Sequence, residues 1–299
     1  MSVMNEGEAA ARAVLEEACR RAHLPAEDAR LVRRGENAIF RLPTGVIARI
    51  TRPGQQNAAA REVQIARWLA AHQVPAVEAL PDIHQPVNVD GRAVTWWREL
   101  PPHRNGTALE VATALRRLHA LPPPADFHVG RLDPFVRLTE RIERAVTLGE
   151  RDHAWMRERL TELRSRYAAL PEGLPECVVH GDAWIGNVVG TGDGRVVLLD
   201  LERCSVGPPE WDLISTAVKA FTLAGITVED YRVFAKVYGH DVTGWTGFET
   251  LRDIREFRML CMAAQVAAEN PARHEEVILR LACLRGEHGP RPWQWTAVP

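Results

Sequence analysis

Lysine is nearly absent from this chain of 299 residues, which carries 35 arginines but only Lys219 and Lys236. The 37 basic side chains are balanced by 39 acidic ones, and the formal net charge is −2. Such a balance offers no basic excess for binding nucleic acid or an anionic membrane surface. Also absent is an apolar run approaching the roughly 18 residues that span a bilayer. We therefore expect neither a nucleic-acid partner nor a membrane partner, and the sequence leaves the oligomeric state open.

Cysteine is scarce as well, with five residues and no C-x-x-C pair. The odd count and the spacing exclude a disulfide framework and a zinc knuckle. Residues 6–23 combine helical periodicity with several glutamates, which favours an amphipathic helix over a signal peptide. We expect a cytoplasmic protein with buried, reduced thiols.

Short strand-like runs dominate the first third of the chain. They lie within 31–50 and 76–97, where Asp90–Gly91 marks a hairpin turn, and a helical segment at about 58–72 separates them. Beyond this region the only compact β-like stretch covers 176–204. The remaining apolar periodicity predicts helices at about 107–120, 134–149, 152–169, 210–223, 229–238, 249–268 and 272–285.

This distribution predicts an α+β protein with two lobes. The N-terminal lobe, residues 1–98, is a small antiparallel sheet with helices. The C-terminal lobe, residues 99–299, is mostly helical and contains the β-like stretch. A short proline-containing connection joins the two.

Polar residues that could act in catalysis or bind a metal lie at the ends of two apolar strands. Val178–Val179 leads into His180-Gly181-Asp182, and Asn187 follows five residues after Asp182. A second apolar run ends at Asp200. Phosphoryl transfer needs this set, because one carboxylate orients and deprotonates the acceptor hydroxyl while an amide oxygen and a second carboxylate hold Mg²⁺.

The pattern H-x-D-x-x-x-x-N followed by a metal-binding Asp resembles the catalytic core of protein kinases, which carry out phosphoryl transfer. His-Gly-Asp and Asp-Leu-Glu, in place of His-Arg-Asp and Asp-Phe-Gly, are similar to the aminoglycoside phosphotransferase family, a group that includes choline, homoserine and macrolide kinases. The resemblance covers about residues 31–270. It implies a kinase-like fold, ATP or GTP as phosphate donor, Mg²⁺, and a small hydroxylated acceptor such as an aminoglycoside-like antibiotic.

The resemblance also implies roles for the residues of the motif. Asp182 is the expected catalytic base, and Asn187 and Asp200 are the expected Mg²⁺ ligands. His180 is expected to support the loop through hydrogen bonds. Asp212, in the downstream Gly207–Leu213 element, is expected to tie the loop to its helix.

The same template applied to the N-terminal lobe needs a cation on a strand and a glutamate on the next helix. Because residues 1–98 contain no lysine, Arg49 is the candidate for contacting the nucleotide phosphates, and Glu62 is its predicted partner. An arginine in this role must approach the phosphates differently from a lysine, since its charge is spread over a planar fork. A surface arginine on an edge strand is the alternative interpretation.

Two further segments are candidates for nucleotide binding. Gly35-Glu36-Asn37 lies where a phosphate-covering loop is expected, although one glycine is also typical of an ordinary hairpin. The connection ending in Glu99 and Leu100 would present its backbone to the purine. Trp96 and Trp97 beside it are equally typical of packing residues.

The acceptor pocket is less well marked in the sequence. Asp253, Glu256, Glu269 and Trp245 are candidates, although the alternating charges of 252–258 are also typical of a salt-bridged helix face. Aminoglycoside, macrolide, nucleoside, amino alcohol and sugar acceptors all remain compatible. A kinase-like protein that binds a nucleotide or a partner without catalysis is the alternative function.

Overall fold

The computed structural model describes residues 6–35 and 37–296. The helices in these ranges are α1 (Glu6–Ala22), α2 (Gln56–Ala71), α3 (Ala108–His119), α4 (Leu138–Glu143), α5 (Glu150–Ala168), α6 (Glu210–Phe221), α7 (Val228–Tyr238), α8 (Phe248–Glu269) and α9 (His274–Leu284). The strands are β1 (Arg30–Arg34), β2 (Ala38–Leu42), β3 (Val46–Ile50), β4 (Val87–Val89), β5 (Arg92–Arg98), β6 (His103–Asn105), β7 (Cys177–Val179), β8 (Val188–Thr191), β9 (Val196–Leu198) and β10 (Ser205–Gly207).

The N-terminal region is a five-stranded antiparallel sheet in the order β1-β2-β3-β5-β4. Alternation places Phe40, Ala48 and Trp96 on one face, where they pack in one apolar cluster with Leu15 of α1. Arg49, between two buried residues of β3, therefore points to the opposite face. The predicted turn at Asp90–Gly91 joins β4 to β5.

The other face of the sheet shares a core with the helical region. Trp97 of β5 and Leu69 of α2 belong to the same apolar cluster as Leu115 of α3 and Leu198 of β9. The segment after α2 adds backbone contacts, since Val77 N–H donates to the Leu198 carbonyl at 2.9 Å. Helix α2 thus packs against the sheet and, with the segment that follows it, against the helical region. These contacts fix the position of Glu62.

Two small antiparallel sheets carry the β-like stretch of the helical region. β8 pairs with β6 and β9, while β7 pairs with β10. β6 was not predicted, because its three residues are all exposed and show no apolar alternation. Helix α8, buried along much of its length, packs with α6 and α9 around a second apolar cluster.

Two predicted elements are shorter than expected. The helix predicted over 134–149 is only α4, because residues after it form turns whose apolar side chains Ala145 and Leu148 still reach the core. The first strand predicted within 76–97 begins only at Val87, and proline at 81 and 86 removes backbone donors before it. The five cysteines are buried and unpaired, as predicted. Across residues 6–35 and 37–296, every helix is too short or too polar to cross a membrane.

Candidate active site

The loop after β7 is held by a buried aspartate on α6. Both oxygens of Asp212 accept backbone hydrogen bonds, from His180 N–H at 2.6 Å and from Gly181 N–H at 2.9 Å. His119 Nε2 lies 3.0 Å from the same carboxylate. Burial alone would raise the pKa of Asp212, but the His119 hydrogen bond and the backbone donors outweigh it and the pKa is lowered. The predicted structural role of Asp212 is confirmed by these contacts.

His180 joins this loop to the end of β9. Its Nε2 lies 2.7 Å from the Leu199 carbonyl, which can only accept, so Nε2 carries the proton. Nδ1 is then the acceptor for Asp182 N–H at 3.3 Å. The predicted supporting role of His180 is confirmed.

The Asp182 carboxylate is oriented by two neighbours and still reaches solvent. Asn187 Nδ2 donates to Oδ2 at 3.2 Å and to the Asp182 backbone oxygen at 2.9 Å. Arg255 Nη1 donates to Oδ1 at 3.4 Å. The side chain remains 46% exposed, which leaves the carboxylate accessible to a ligand.

Asn187 and Asp200 lie at the same end of the β8–β9 hairpin. Asn187 immediately precedes β8, and Leu199 N–H donates to the Asn187 carbonyl at 2.8 Å, so Asp200 follows directly. The Asn187 amide nitrogen is used by Asp182, which leaves the amide oxygen for a cation. Asp200 adopts a left-handed backbone conformation with φ of 54°.

This pair fits a divalent cation with hard oxygen ligands. Burial raises the pKa of Asp200, the nearby Glu202 charge raises it further, and Arg49 opposes this. Arg49 Nη2 stays 3.9 Å from Asp200 Oδ1, too far for a hydrogen bond. Asp200 is therefore a partly buried carboxylate, with a side chain 42% exposed, that lacks full charge compensation within the described residues.

Arg49 lies above this pair and contacts Glu62, as predicted from the sequence. Its Nη1 donates to both Glu62 oxygens at 2.7 and 2.9 Å, and Nη2 donates to Glu202 at 2.7 Å. With its amide oxygen facing the guanidinium, Asn37 accepts from Nη2 at 2.7 Å and from Nε at 2.9 Å. Burial raises the pKa of Glu62 to about 7, against the opposing effect of Arg49. Arg49 is thus a buried ion-pair centre and not the surface arginine of the alternative interpretation.

The remaining nucleotide candidates lie in two other segments of the N-terminal region. Gly35 N–H donates to the Asn37 carbonyl at 3.1 Å, so the predicted phosphate loop folds back on itself, and Glu36 lies outside the described residues. Glu99 N–H donates to the Gly45 carbonyl at 2.9 Å and extends the β3–β5 pairing. Leu100 follows and is half-buried. The roles of these residues in nucleotide binding stay predictions.

Trp96 and Trp97 are packing residues. They are buried on opposite faces of β5, Trp96 in the cluster shared with α1 and Trp97 in the cluster shared with α2.

Asp253 and Glu256, two acceptor-pocket candidates, are instead neutralised within the helical region. Asp253 accepts from Arg159 at 3.0 Å and from Arg166 at 2.8 Å. Glu256 is fully buried and bonded to Thr222 and Arg291. For Asp253 and Glu256 the salt-bridged helix face is therefore the correct interpretation.

The other two acceptor candidates make contacts elsewhere in the helical region or are exposed. Trp245 donates to the Glu172 carbonyl at 2.9 Å, and Glu269 is exposed at the end of α8.

Sequence reasoning missed Glu202, Arg255 and Arg258. Glu202 is the last residue of the Asp-Leu-Glu motif. Its charge, two residues after the candidate metal ligand Asp200, is the feature of the sequence that could have identified it. Arg255 and Arg258 are three residues apart on α8 and so share a helix face, but the sequence does not show which face meets the cleft.

The sequence profile described as the phosphotransferase enzyme family matches residues 27–252, about three-quarters of the chain. The chain belongs to this family. The predicted enzyme class, a small-molecule kinase, is confirmed by the match. The comparison with curated proteins gives no match.

Solved structures share the fold of this phosphotransferase over nearly its whole length. An amicoumacin kinase in complex with AMP-PNP, Ca²⁺ and Ami aligns with a TM-score of 0.71 and 16% identity, covering 96% of this chain and 97% of the other. The gentamicin–APH(2″)-IIa complex gives 0.64 and 13%, covering 96% and 99%. The choline kinase LicA from Streptococcus pneumoniae gives 0.62 and 14%, covering 92% and 99%. At these identities the likeness confirms the predicted two-lobed, kinase-like fold.

Proposed function

We propose that this enzyme transfers the γ-phosphate of ATP or GTP to a hydroxyl group of a small molecule, with Asp182 as the base. The observation that carries the proposal is the common end of the β8–β9 hairpin, where Asn187 and Asp200 meet the loop that holds Asp182. A loose transition state asks mainly for positioning and charge neutralisation, which such an arrangement supplies.

Asp182 orients the acceptor hydroxyl and accepts its proton. Asn187 and Arg255 hold the two carboxylate oxygens, so the acceptor meets a base of fixed direction. Asn187, through its amide oxygen, and Asp200 would hold Mg²⁺, which when bound neutralises charge on the phosphates. The metal and the roles of its ligands are part of this proposal.

The N-terminal region binds the nucleotide. Arg49, positioned by Glu62, contacts the α- and β-phosphates after exchanging its bonds to Glu202 and Asn37 for phosphate oxygens. Gly35 and Asn37 cover the phosphates, and the backbone at Glu99 and Leu100 meets the purine. This assignment puts the nucleotide-binding lobe at residues 1–98 and the acceptor side at 99–299.

The test measures release of ADP or GDP with Mg²⁺ against a panel of aminoglycosides, macrolides, nucleosides, choline, homoserine and sugars. Relatives of the fold are named for amicoumacin, gentamicin and choline, which gives the panel its starting point. We expect one class to raise the release and the Asp182→Ala variant to abolish the rise. If the nucleotide stabilises the protein but no acceptor of the panel receives phosphate, the result would instead favour the non-catalytic alternative.

A further inference from the structure

A cavity of about 400 Å³ adjoins the candidate site, between α2, the loop before α4 and the start of β10. The described residues that line it include seven arginines but only three carboxylates, Glu62, Asp133 and Glu202. Two of these carboxylates, Glu62 and Glu202, are already bound to Arg49. Of the other six arginines, Arg131 pairs with Glu176 outside the cavity, and Arg61, Arg203 and Arg258 are called the arginine pocket below.

The cavity reaches the loop of the candidate base. Gly181, the residue before Asp182, lines it. Arg203 packs so closely on Gly181 that a Cβ atom there would clash with the Arg203 backbone oxygen. The arginines of the cavity therefore lie next to the loop that would meet an acceptor hydroxyl.

Arg258 is a half-buried member of the arginine pocket. Its Nη1 donates to the Pro134 carbonyl at 2.5 Å, and its guanidinium lies 5.7 Å from the centre of the Trp211 ring. Burial lowers the pKa of Arg258 to about 9, and the like charges of Arg255 and Arg203 contribute. In residues 6–35 and 37–296 no carboxylate lies within ion-pair distance of it. A partly desolvated cation without an anionic partner is stabilised when a ligand supplies the opposite charge.

Arg61 and Arg203 add positive charge on the opposite wall. Arg61 Nη2 makes a 3.4 Å contact with the Glu202 backbone oxygen, and its buried Nε has no hydrogen-bond partner in the described part of the chain. Arg203 Nε lies 3.6 Å from Glu202, whose carboxylate also serves Arg49. One carboxylate is thus shared by two guanidinium groups.

We propose that the arginine pocket binds an anionic group of the acceptor, a carboxylate or a phosphate, so that the substrates are hydroxy acids or sugar phosphates. Guanidinium forks match both groups with paired hydrogen bonds. A polycationic aminoglycoside would instead meet like charge here. The inference rests on the proposed function, because the cavity is assigned to the acceptor through its position beside Asp182.

The test measures thermal unfolding of the full chain with saturating AMP-PNP and Mg²⁺, so that nucleotide phosphates occupy their own site. Glycerate and glycerol 3-phosphate are the anionic probes, and they separate carboxylate from phosphate recognition. Uncharged glycerol and cationic kanamycin are the comparisons. We expect at least one anion to raise the Tm by about 2 °C or more, and neither comparison to do so.

Variants locate the binding. Arg258→Met and Arg203→Met are expected to weaken the anion's affinity at least about tenfold while the shift caused by AMP-PNP remains. Arg203→Met is included because Arg258→Met also removes the bond to Pro134. The matched control is Arg232→Met, because Arg232 is exposed on α7 and pairs only with Glu229 at 3.2 Å.

Three results would overturn the inference. In the first, AMP-PNP stabilises the protein but neither anion adds a shift. In the second, the anions act equally on Arg258→Met, Arg203→Met and wild type. In the third, kanamycin binds in preference to the anions. Failure of AMP-PNP and Mg²⁺ to stabilise the wild type would overturn the proposed function, and this inference with it.

Discussion

Arg255 of α8 donates to the Asp182 carboxylate across 3.4 Å, although the two residues are 73 positions apart in the sequence. The same guanidinium donates to the Gly181 carbonyl at 3.2 Å and lies 4.2 Å from the centre of the Trp211 ring. Helix α8, through Arg255, therefore orients the carboxylate of Asp182. Loop and helix act as one rigid unit, which suits a reaction that depends on positioning.

Replacement of the candidate base gives the most direct prediction. Asp182→Asn keeps the shape and the contact with Arg255 but removes the proton acceptor, so we expect kcat to fall by about 10²–10⁴-fold. Nucleotide affinity should persist, as measured by the thermal shift with AMP-PNP and Mg²⁺. Asp193→Asn, in the exposed turn between β8 and β9, is the control and should retain full turnover. Near wild-type turnover in Asp182→Asn would show that the base is another group.

Asp200 should affect stability and metal use in opposite directions. Because burial raises its pKa, the charged carboxylate destabilises the fold at neutral pH, and Asp200→Asn should raise the Tm of the unliganded protein. The same variant should lose the part of the nucleotide-induced shift that requires Mg²⁺. Thermal unfolding without ligand measures the Tm, and titration of Mg²⁺ at fixed AMP-PNP measures the Mg²⁺-dependent part of the shift. A variant with unchanged Mg²⁺ dependence would contradict the assignment of Asp200 as a metal ligand.

The Arg49–Glu62 pair predicts a non-additive pattern of stability. Both side chains are buried, at 15% and 6% exposure, so Arg49→Met leaves a carboxylate without its main partner. We expect a loss of about 3–5 kcal/mol in the free energy of unfolding. Adding Glu62→Gln should recover part of that loss, because an uncharged amide tolerates burial better. Urea unfolding of the two single variants and the double variant tests this, and strictly additive losses would contradict it.

The parts of the site that the sequence predicted are those set by short-range geometry. Asp182, Asn187 and Asp200 belong to one hairpin and its preceding loop, so their spacing determines their neighbourhood. Arg49 and Glu62 are only 13 residues apart, on a strand and the helix that follows it. Strand alternation and helix periodicity place each side chain on a face, and the resemblance to protein kinases indicated that the two pair.

The parts that were missed depend on long-range packing. Residues 252–258 alternate in charge, and the pattern does not distinguish the face that binds Asp253 from the face that presents Arg255 and Arg258. Likewise, the exposed strand β6 exists because β8 offers a partner, and not because its own residues favour a strand.

The buried carboxylate of Asp212 should make the free energy of unfolding depend on pH in the acid range. Its pKa is lowered, so the stability it contributes is present above the ordinary aspartate value of 3.8 and is lost as the pH falls through that region. Asp212→Asn should cost about 2–3 kcal/mol at neutral pH, because one of the two backbone donors loses its acceptor. The variant should also show a flatter decline of the unfolding free energy on acidification. Urea unfolding over a pH series checks both, with Asp82→Asn, at an exposed position before β4, as control, and an unchanged acid slope would contradict the assignment.

Gly181 shows whether the fit between the loop and Arg203 matters to catalysis. It has φ of 85°, and an added Cβ would clash with the Arg203 backbone oxygen. We expect Gly181→Ala to cost about 2–4 kcal/mol, from the left-handed conformation and the clash together, and to lower kcat by displacing Asp182. Gly239→Ala is the matched control, because φ there is 96° but nothing lies within 4 Å of the added Cβ. It should cost only about 1–2 kcal/mol and leave turnover unchanged. Urea unfolding and kcat are measured for both variants; equal losses of stability, with turnover retained in Gly181→Ala, would show that the close contact with Arg203 does not position the base.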